Sequence, residues 1–368
     1  MEKVVNSIAK KCQFPNPHFW LGKRVLVTGH TGFKGGWLCL WLHSLGAKIC
    51  GLSLDPPTSP NFFELVNLQD LMQSVIGDIR QPTMVSQVVK QFQPEVIFHL
   101  AAQPLVLSSY RDPVQTYETN VMGTVNLLEA VRTSTSTQVV INVTSDKCYQ
   151  NRDDGQAYTE DDPMGGNDPY SSSKGCSELI TAAYRHSFFS KLGIGLATAR
   201  AGNVVGGGDW AEDRLVPDTL KAFEANRPVF LRYPNAIRPW QHVLDPIFGY
   251  IILGEALWHD RLRFSKGWNF GPSQTSQRNV SGVVEHLSRA WGGDTSWFTD
   301  AATDTPYESN SLKLDPSRTY QELGWRVKWD LEEALDKTVD WHRTWKNGGN
   351  CREKVFEQIH QYAGTIER

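Results

Sequence analysis

Between the apolar run Arg24–Thr28 and a following helical pattern lies Thr28-Gly29-His30-Thr31-Gly32-Phe33-Lys34-Gly35, with glycines at 29, 32 and 35. Alone, three glycines at that spacing could simply turn the chain; the elements that flank them are what narrow the fold. Glycine accepts positive φ and lets backbone come close to another group. The helix that follows opens with unpaired N–H groups and a partial positive charge. Trp37, Leu38, Trp41, Leu42 and Leu45 recur at spacings of three and four, as on a helix. Gly46 stands where a helix stops, and Lys48–Ser53 reads as a second strand. Strand, glycine turn, helix and strand within about thirty residues make a βαβ unit. Its turn is suited to hold the pyrophosphate of a dinucleotide. Lys34 is either a phosphate ligand there or a solvated lysine at the helix start.

The alternation continues. Strands are expected at 75–78, 96–100, 138–143 and 195–199, and helices at 83–92, 114–132 and 170–189. The strand segments are continuous apolar runs, as in parallel sheets covered on both faces. The fold class is α/β: a doubly wound parallel Rossmann sheet with a smaller mixed α/β C-terminal substrate-binding portion. Past Asn203 the chain turns Gly-, Pro- and Trp-rich. The expected division is a lead-in at 1–20, a dinucleotide-binding domain at 21–202, a smaller domain at 203–350 and a tail at 351–368. Crossover segments returning to the sheet are allowed for.

The chain has 368 residues, a length that suggests two compact units at ~150 residues each. Its net charge of −3, with 21% charged residues, argues against nucleic-acid or anionic-membrane binding. The six cysteines form no CxxC pair and no metal-ligand spacing, so no metal is expected and the thiols read as free in a reducing compartment. The N-terminus lacks the apolar core of a secretory signal, and no apolar run approaches the ~18 residues of a membrane span. A cytoplasmic location is expected.

Two clusters carry chemistry. Tyr170-Ser-Ser-Ser-Lys174 puts a phenol and an ammonium on one helix face. The ammonium is expected to lower the phenol's pKa and so make it a base for a hydroxyl proton. Thr144-Ser145-Asp146-Lys147 follows a strand and therefore sits at the carboxyl edge of the sheet, where ligands bind. It supplies a hydroxyl, an acid and an amine. At the end of the second strand Ser53 stands where an acid usually binds the ribose, with Asp55 two residues on and no arginine to hold a 2′-phosphate. This leans toward NAD over NADP. Asp78 reads equally as an adenine acceptor or a strand-end turn residue.

The segments VTGHTGFKG, GDIR, HLAAQPLV, VTSDKCYQ, YSSSK and ARAGNVVGGGDW resemble the extended short-chain dehydrogenase/reductase family over roughly residues 20–345. Within it the chain is most similar to the nucleotide-sugar 4,6-dehydratases, and among those to the branch acting on CDP-glucose. The resemblance implies NAD bound by Gly29, Thr31, Gly32, Phe33, Lys34 and Gly35 of the turn. It adds Ser53, Asp78, Ile79, Ala101, Ala102, Gln103 and Asn120, together with Tyr170 and Lys174. It implies a catalytic set of Ser145, Asp146, Lys147, Tyr170 and Lys174, with Lys147 where most relatives carry glutamate. Asn203, Arg214 and Arg238 would hold the sugar nucleotide, with Pro239 where many relatives have aspartate. The family pairs subunits through the helices expected at 114–132 and 170–189, which implies a homodimer or homotetramer. A 4-epimerase, which needs no acid/base pair at C5 and C6, and a non-catalytic dinucleotide sensor are the alternatives.

Overall fold

The structure is a computed structural model and describes residues 14–152, 154–272, 277–292, 296–299 and 312–366. In chain order the first half gives β1 (Arg24–Thr28), α1 (Phe33–Ser44), β2 (Lys48–Ser53), β3 (Gln73–Ile76), α2 (Pro82–Phe92), β4 (Val96–His99), α3 (Gly123–Arg132), β5 (Val139–Val143), α4 (Pro169–Tyr184) and β6 (Gly195–Ala201). The second half gives β7 (Asn203–Val205), α5 (Leu215–Glu224), β8 (Val229–Phe230), β9 (Ile237–His242), α6 (Leu244–His259), β10 (Gly267–Phe270), β11 (Gln277–Asn279), α7 (Val280–Trp291), β12 (Trp297–Phe298), α8 (Leu331–Lys346) and α9 (Cys351–Ile366).

Seven parallel strands form one sheet in the order β3-β2-β1-β4-β5-β6-β10. Every residue of β4, β5 and β6 is buried, which is why apolar residues stand at consecutive positions instead of alternating with solvent-facing ones; the polar members His99, Asn142, Thr198 and Arg200 are buried and hydrogen-bonded. β3 starts two residues earlier than the sequence suggests and stops at Ile76, where the Gly77 N–H donates to the Ser53 carbonyl at 2.7 Å and turns the chain. Helix α1 ends before Gly46, whose φ of +82° only glycine adopts at ease.

The chain does not divide cleanly at residue 203. α6 lies against β5 and β6, and β10 extends the large sheet beside β6, so residues 244–270 return to the dinucleotide fold. The segment expected as a C-terminal tail is helix α9, packed on α1. There Trp41 meets Phe248 of α6 and Tyr362 of α9, and the Tyr362 hydroxyl donates to Asp245 Oδ1 at 2.7 Å. α1 is accordingly buried from Gly35 to Leu42. The lead-in also docks: Trp20 is fully buried and its indole N–H donates to Glu255 at 2.6 Å. The remaining second half is a small unit of β7, β9 and β11 with α5, α7 and α8, cored by Val216, Leu220, Val283, Leu287 and Leu335. Between this unit and the carboxyl ends of β1, β2, β4, β5 and β6 lies a cavity of about 710 Å³.

Among the described residues, no helix is long and apolar enough to cross a membrane. Nor does any group of three or more His, Cys, Asp and Glu side chains among them suit a metal ion. Cys39, Cys50, Cys148, Cys176 and Cys351 are free thiols.

Candidate active site

The glycine turn forms one end of the cavity. Gly29 has φ +81°, and a Cβ on it would lie 2.8 Å from the Ala101 backbone nitrogen. A Cβ on Gly35 would come within 2.1 Å of the Gly29 carbonyl oxygen, so both positions need glycine for the turn to close. Gly32 is different. A Cβ there would meet only the Gly29 oxygen, at an ordinary 3.4 Å, yet the residue borders the cavity at the start of α1. The protein itself leaves that side bare, which is the cradle a pyrophosphate needs. The Thr28 hydroxyl accepts the Leu100 and Ala101 N–H groups at 3.1 Å and meets His99 Nδ1 at 2.7 Å. It thereby ties the exit of β4 to the turn and sets Ala101 and Ala102 on the cavity wall.

Thr31 bonds to Ser53 (2.7 Å) and to the Leu54 carbonyl (2.9 Å). Phe33, Ser53, Asp55, Asp78 and Ile79 also line the cavity. Burial raises the Asp78 carboxyl, but its hydrogen bonds and ion pair with Arg80 outweigh that and hold it below its ordinary value. Gln103 and Asn120 are not on the cavity wall. The Gln103 N–H donates to Asn120 Oδ1 at 2.8 Å and Asn120 donates to Ser173 Oγ at 2.9 Å, a brace between the 101–105 loop and α4.

At the cavity's centre, α4 begins on the Asp168 cap with Pro169 in its first turn. That start places Tyr170 and Lys174 one above the other on the wall. β5 leads into the short turn Asp146–Cys148, capped by Ser145, whose Oγ accepts the Lys147 N–H (3.2 Å) and donates to Asp146 Oδ1 (3.0 Å). Ser145 also hydrogen-bonds Tyr170, and the Lys174 ammonium donates to the Val143 carbonyl at 3.4 Å. All five residues proposed for catalysis thus face one space.

The electrostatics differ from the sequence expectation at one point. Burial pushes Tyr170 up to about 12, against the opposing bond from Ser145. Burial also brings Lys174 down to about 8. The net shift is upward and not the lowering expected from the neighbouring ammonium, because desolvation of the phenolate is the largest effect. Burial likewise raises the Asp146 carboxyl, although Lys147, Ser145, Lys34 and Arg238 pull it down. Lys34 is not a solvated helix-start lysine. It borders the cavity and is lowered to about 7, first by burial and then by the charges of Arg214 and Lys174, with Asp146 opposing.

Asn203, Arg214 and Arg238 line the far side, where Arg214 pairs with Asp209 at 3.4 Å. Two features escape the sequence reading. Behind the Thr144–Lys147 turn, the buried Glu178 accepts Thr144 Oγ1 (2.5 Å), Thr198 Oγ1 (2.7 Å) and both Nε and Nη2 of Arg200 (2.9 and 2.8 Å). Arg200 then donates to the Tyr149 hydroxyl at 2.7 Å. Glu178 lies four residues past Lys174, so the helical spacing was the available signal. The run Gly206-Gly207-Gly208 is more than a turn: Cβ atoms on 207 and 208 would strike Trp341 and Phe62 at 2.1 and 2.2 Å. Phe62 is stacked between Trp37 and Trp341.

The chain is 52% identical to the CDP-glucose 4,6-dehydratase of Salmonella typhimurium, over 95% of this chain and 99% of that protein. It is 28% identical to a dTDP-glucose 4,6-dehydratase of Xanthomonas campestris, over 88% and 95%. Among solved structures it resembles the UDP-glucose 4-epimerase of Thermus thermophilus in complex with NAD, with TM-score 0.76, 25% identity and coverage of 87% and 99%. The dTDP-glucose 4,6-dehydratase of Bacillus anthracis, with TM-score 0.72, 23% identity and coverage of 89% and 99%, shares the fold. The family model for GDP-mannose 4,6 dehydratase matches residues 26–338, across both the glycine turn and the far wall of the cavity, and the chain belongs to that family.

Proposed function

We propose that the protein removes water from CDP-glucose to give CDP-4-dehydro-6-deoxyglucose, using NAD that is regenerated within each turnover. The observation that carries this reading is the acid/base pair Asp146–Lys147 on the same turn as Ser145, facing Tyr170 across the cavity that the glycine turn closes. The identity to a named CDP-glucose 4,6-dehydratase supports the substrate.

Gly29, Gly32 and Gly35 with the start of α1 would hold the pyrophosphate, Ser53 or Asp55 the ribose, and Asp78 and Ile79 the adenine. The absence of an arginine after β2 supports NAD. Bound there, NAD would supply a hydride acceptor for C4 and a hydride donor for C6, and its positive charge would ease ionisation of the buried phenol. Tyr170, oriented by Ser145, takes the C4 hydroxyl proton, and Lys174 supplies a cation beside it. The C4 ketone acidifies the C5 hydrogen, and Lys147 removes that proton. Asp146 gives its proton to the C6 oxygen as the C6–O bond breaks and water leaves. Lys147 finally returns a proton to C5. Asn203 would bind the sugar nucleotide, and Arg238 and Arg214 would face its diphosphate, an anion suited to guanidinium.

For assembly, Val114, Tyr117, Met122, Leu179 and Phe188 are exposed apolar side chains on the 113–132 and 169–189 helices, a surface suited to a second copy. The expected state is a homodimer or a dimer of dimers, read by light scattering.

The deciding experiment offers CDP-, dTDP-, GDP- and UDP-glucose with NAD and reads the 4-keto product by its absorbance in alkali. Alkali-absorbing product from CDP-glucose supports the reading. CDP-galactose in its place would mean a 4-epimerase, and NAD binding with no conversion would mean a sensor.

A further inference from the structure

Gly202 links β6 to β7, and its φ lies outside the left-handed region, so its backbone gives no reason for glycine. The atoms a Cβ there would meet first are Asp146 Oδ2 at 3.1 Å, Pro239 Cγ at 3.6 Å and Asp146 Cγ at 3.7 Å. The absent side chain therefore leaves the Asp146 carboxyl room that a Cβ would crowd. Oδ1 of that carboxyl is held by Ser145, which leaves Oδ2 as the oxygen bounded by Gly202.

Pro239 is the other neighbour. β9 pairs with β11 over Ile237–Pro239 and with β7 only from Trp240 onward, so Pro239 has a ladder partner, Gln277, on one side alone. Proline contributes no N–H, and a position paired on one side is where a strand accepts it. Here it is buried, and its ring lies against the same small space as Oδ2. An acidic or hydrated side chain in that place would bring water or charge to the carboxyl.

We propose that Gly202 and Pro239 are positioning residues, a dry collar that fixes Asp146 Oδ2 toward the cavity and keeps it in the form that can give a proton to the departing C6 oxygen. The proposal rests on Asp146 being the acid of the dehydration step. The charged and titratable groups around Asp146 are Lys147 and Cys148 on its own turn, Lys34 on α1, Tyr170 on α4 and Arg238 on β9. The three cations favour the carboxylate, so burial must outweigh them, and the direction of the Asp146 shift agrees.

The test uses G202A, P239S and P239A with CDP-glucose and NAD. G202A should fold as wild type by circular dichroism and still oxidise C4. Dehydration should slow at least ~10-fold, so that undehydrated CDP-4-ketoglucose accumulates in quenched samples read by mass spectrometry. P239S should admit water and lower the Asp146 pKa. The dehydration rate, which needs the protonated acid, should then fall with rising pH about one unit earlier than in wild type, whereas P239A, which stays apolar, should keep the wild-type profile. The Asp146 carboxyl is followed separately by infrared difference against D146N, a readout independent of turnover. An unchanged ratio of ketoglucose to 6-deoxy product in G202A, or an unchanged carboxyl titration in P239S, overturns the collar. Wild-type protein that makes no 4-keto-6-deoxy product from CDP-glucose overturns the proposed function instead.

Discussion

The turn at Gly29–Gly35 and the turn at Thr144–Cys148 leave the same sheet on the same side and border the same cavity, yet they are held by opposite means. The first is a backbone object. Its tolerances are distances between main-chain atoms, 2.1 Å from a Cβ on Gly35 to Gly29 O and 2.8 Å from one on Gly29 to Ala101 N. The second is held by charge. Both Glu178 oxygens are used by Arg200 and two threonine hydroxyls, in a site nearly without solvent. A steric turn should fail by clash and a charged one by loss of a partner. The binding end of the cavity and its reacting end should therefore respond to different substitutions.

Substitutions can break that contrast or sharpen it. The largest effect is expected at the reacting end. K147A should slow dehydration by ~10²–10⁴-fold while leaving NAD affinity, read by titration calorimetry, near wild type. Release of 6-deoxy product at near-normal rate would show that the turn carries no C5 base. E178Q leaves the buried Arg200 without its carboxylate partner, keeping one acceptor oxygen, and should destabilise the fold by about 3–5 kcal/mol, read from the urea midpoint. At the binding end, G35A should lose about 1–3 kcal/mol through overpacking, together with measurable NAD binding. The Lys174 cation, with its pKa lowered to about 8, is present below that pH and lost above it. The kcat/KM for CDP-glucose should therefore fall up to tenfold per pH unit above about pH 8. E178Q should move that limb lower, because Glu178 is one of the groups raising Lys174. The smallest structural effect belongs to G32A: a melting temperature close to wild type, since the protein makes no tight contact there, but weaker NAD binding. If G32A destabilised the fold as much as G35A, the distinction between turn-closing and ligand-facing glycines would collapse.

How much of this was readable from sequence follows from how local each feature is. The glycine turn and the Tyr170–Lys174 pair were readable because each is fixed by spacing within one element. The βαβ alternation was readable from continuous apolar runs. The return of α6 and β10 to the large sheet, and the docking of α9 on α1, depend on pairings across more than sixty residues that no local pattern encodes. Lys34 was ambiguous because its local context permits both solvent and cavity; the packing of α1 under α6 decides between them. Tyr170 was misjudged electrostatically because a motif reveals a nearby charge but not the depth of burial. Pro239 read only as a lost aspartate, and Gly202 carried no reading of its own, until Asp146 was seen beside them.

The pairing of β10 with β6 sets an order of events during synthesis. β6 is complete at Ala201, but its open edge finds its partner only when Gly267–Phe270 has been made. At ~5–20 residues per second, a nascent chain carries an unpaired parallel edge for several seconds. α9, made after β10, then clasps Tyr362 onto Asp245. A chain released before α9 would have every strand of the large sheet and lack this clasp, and such truncated chains are the ones expected to engage chaperones longest.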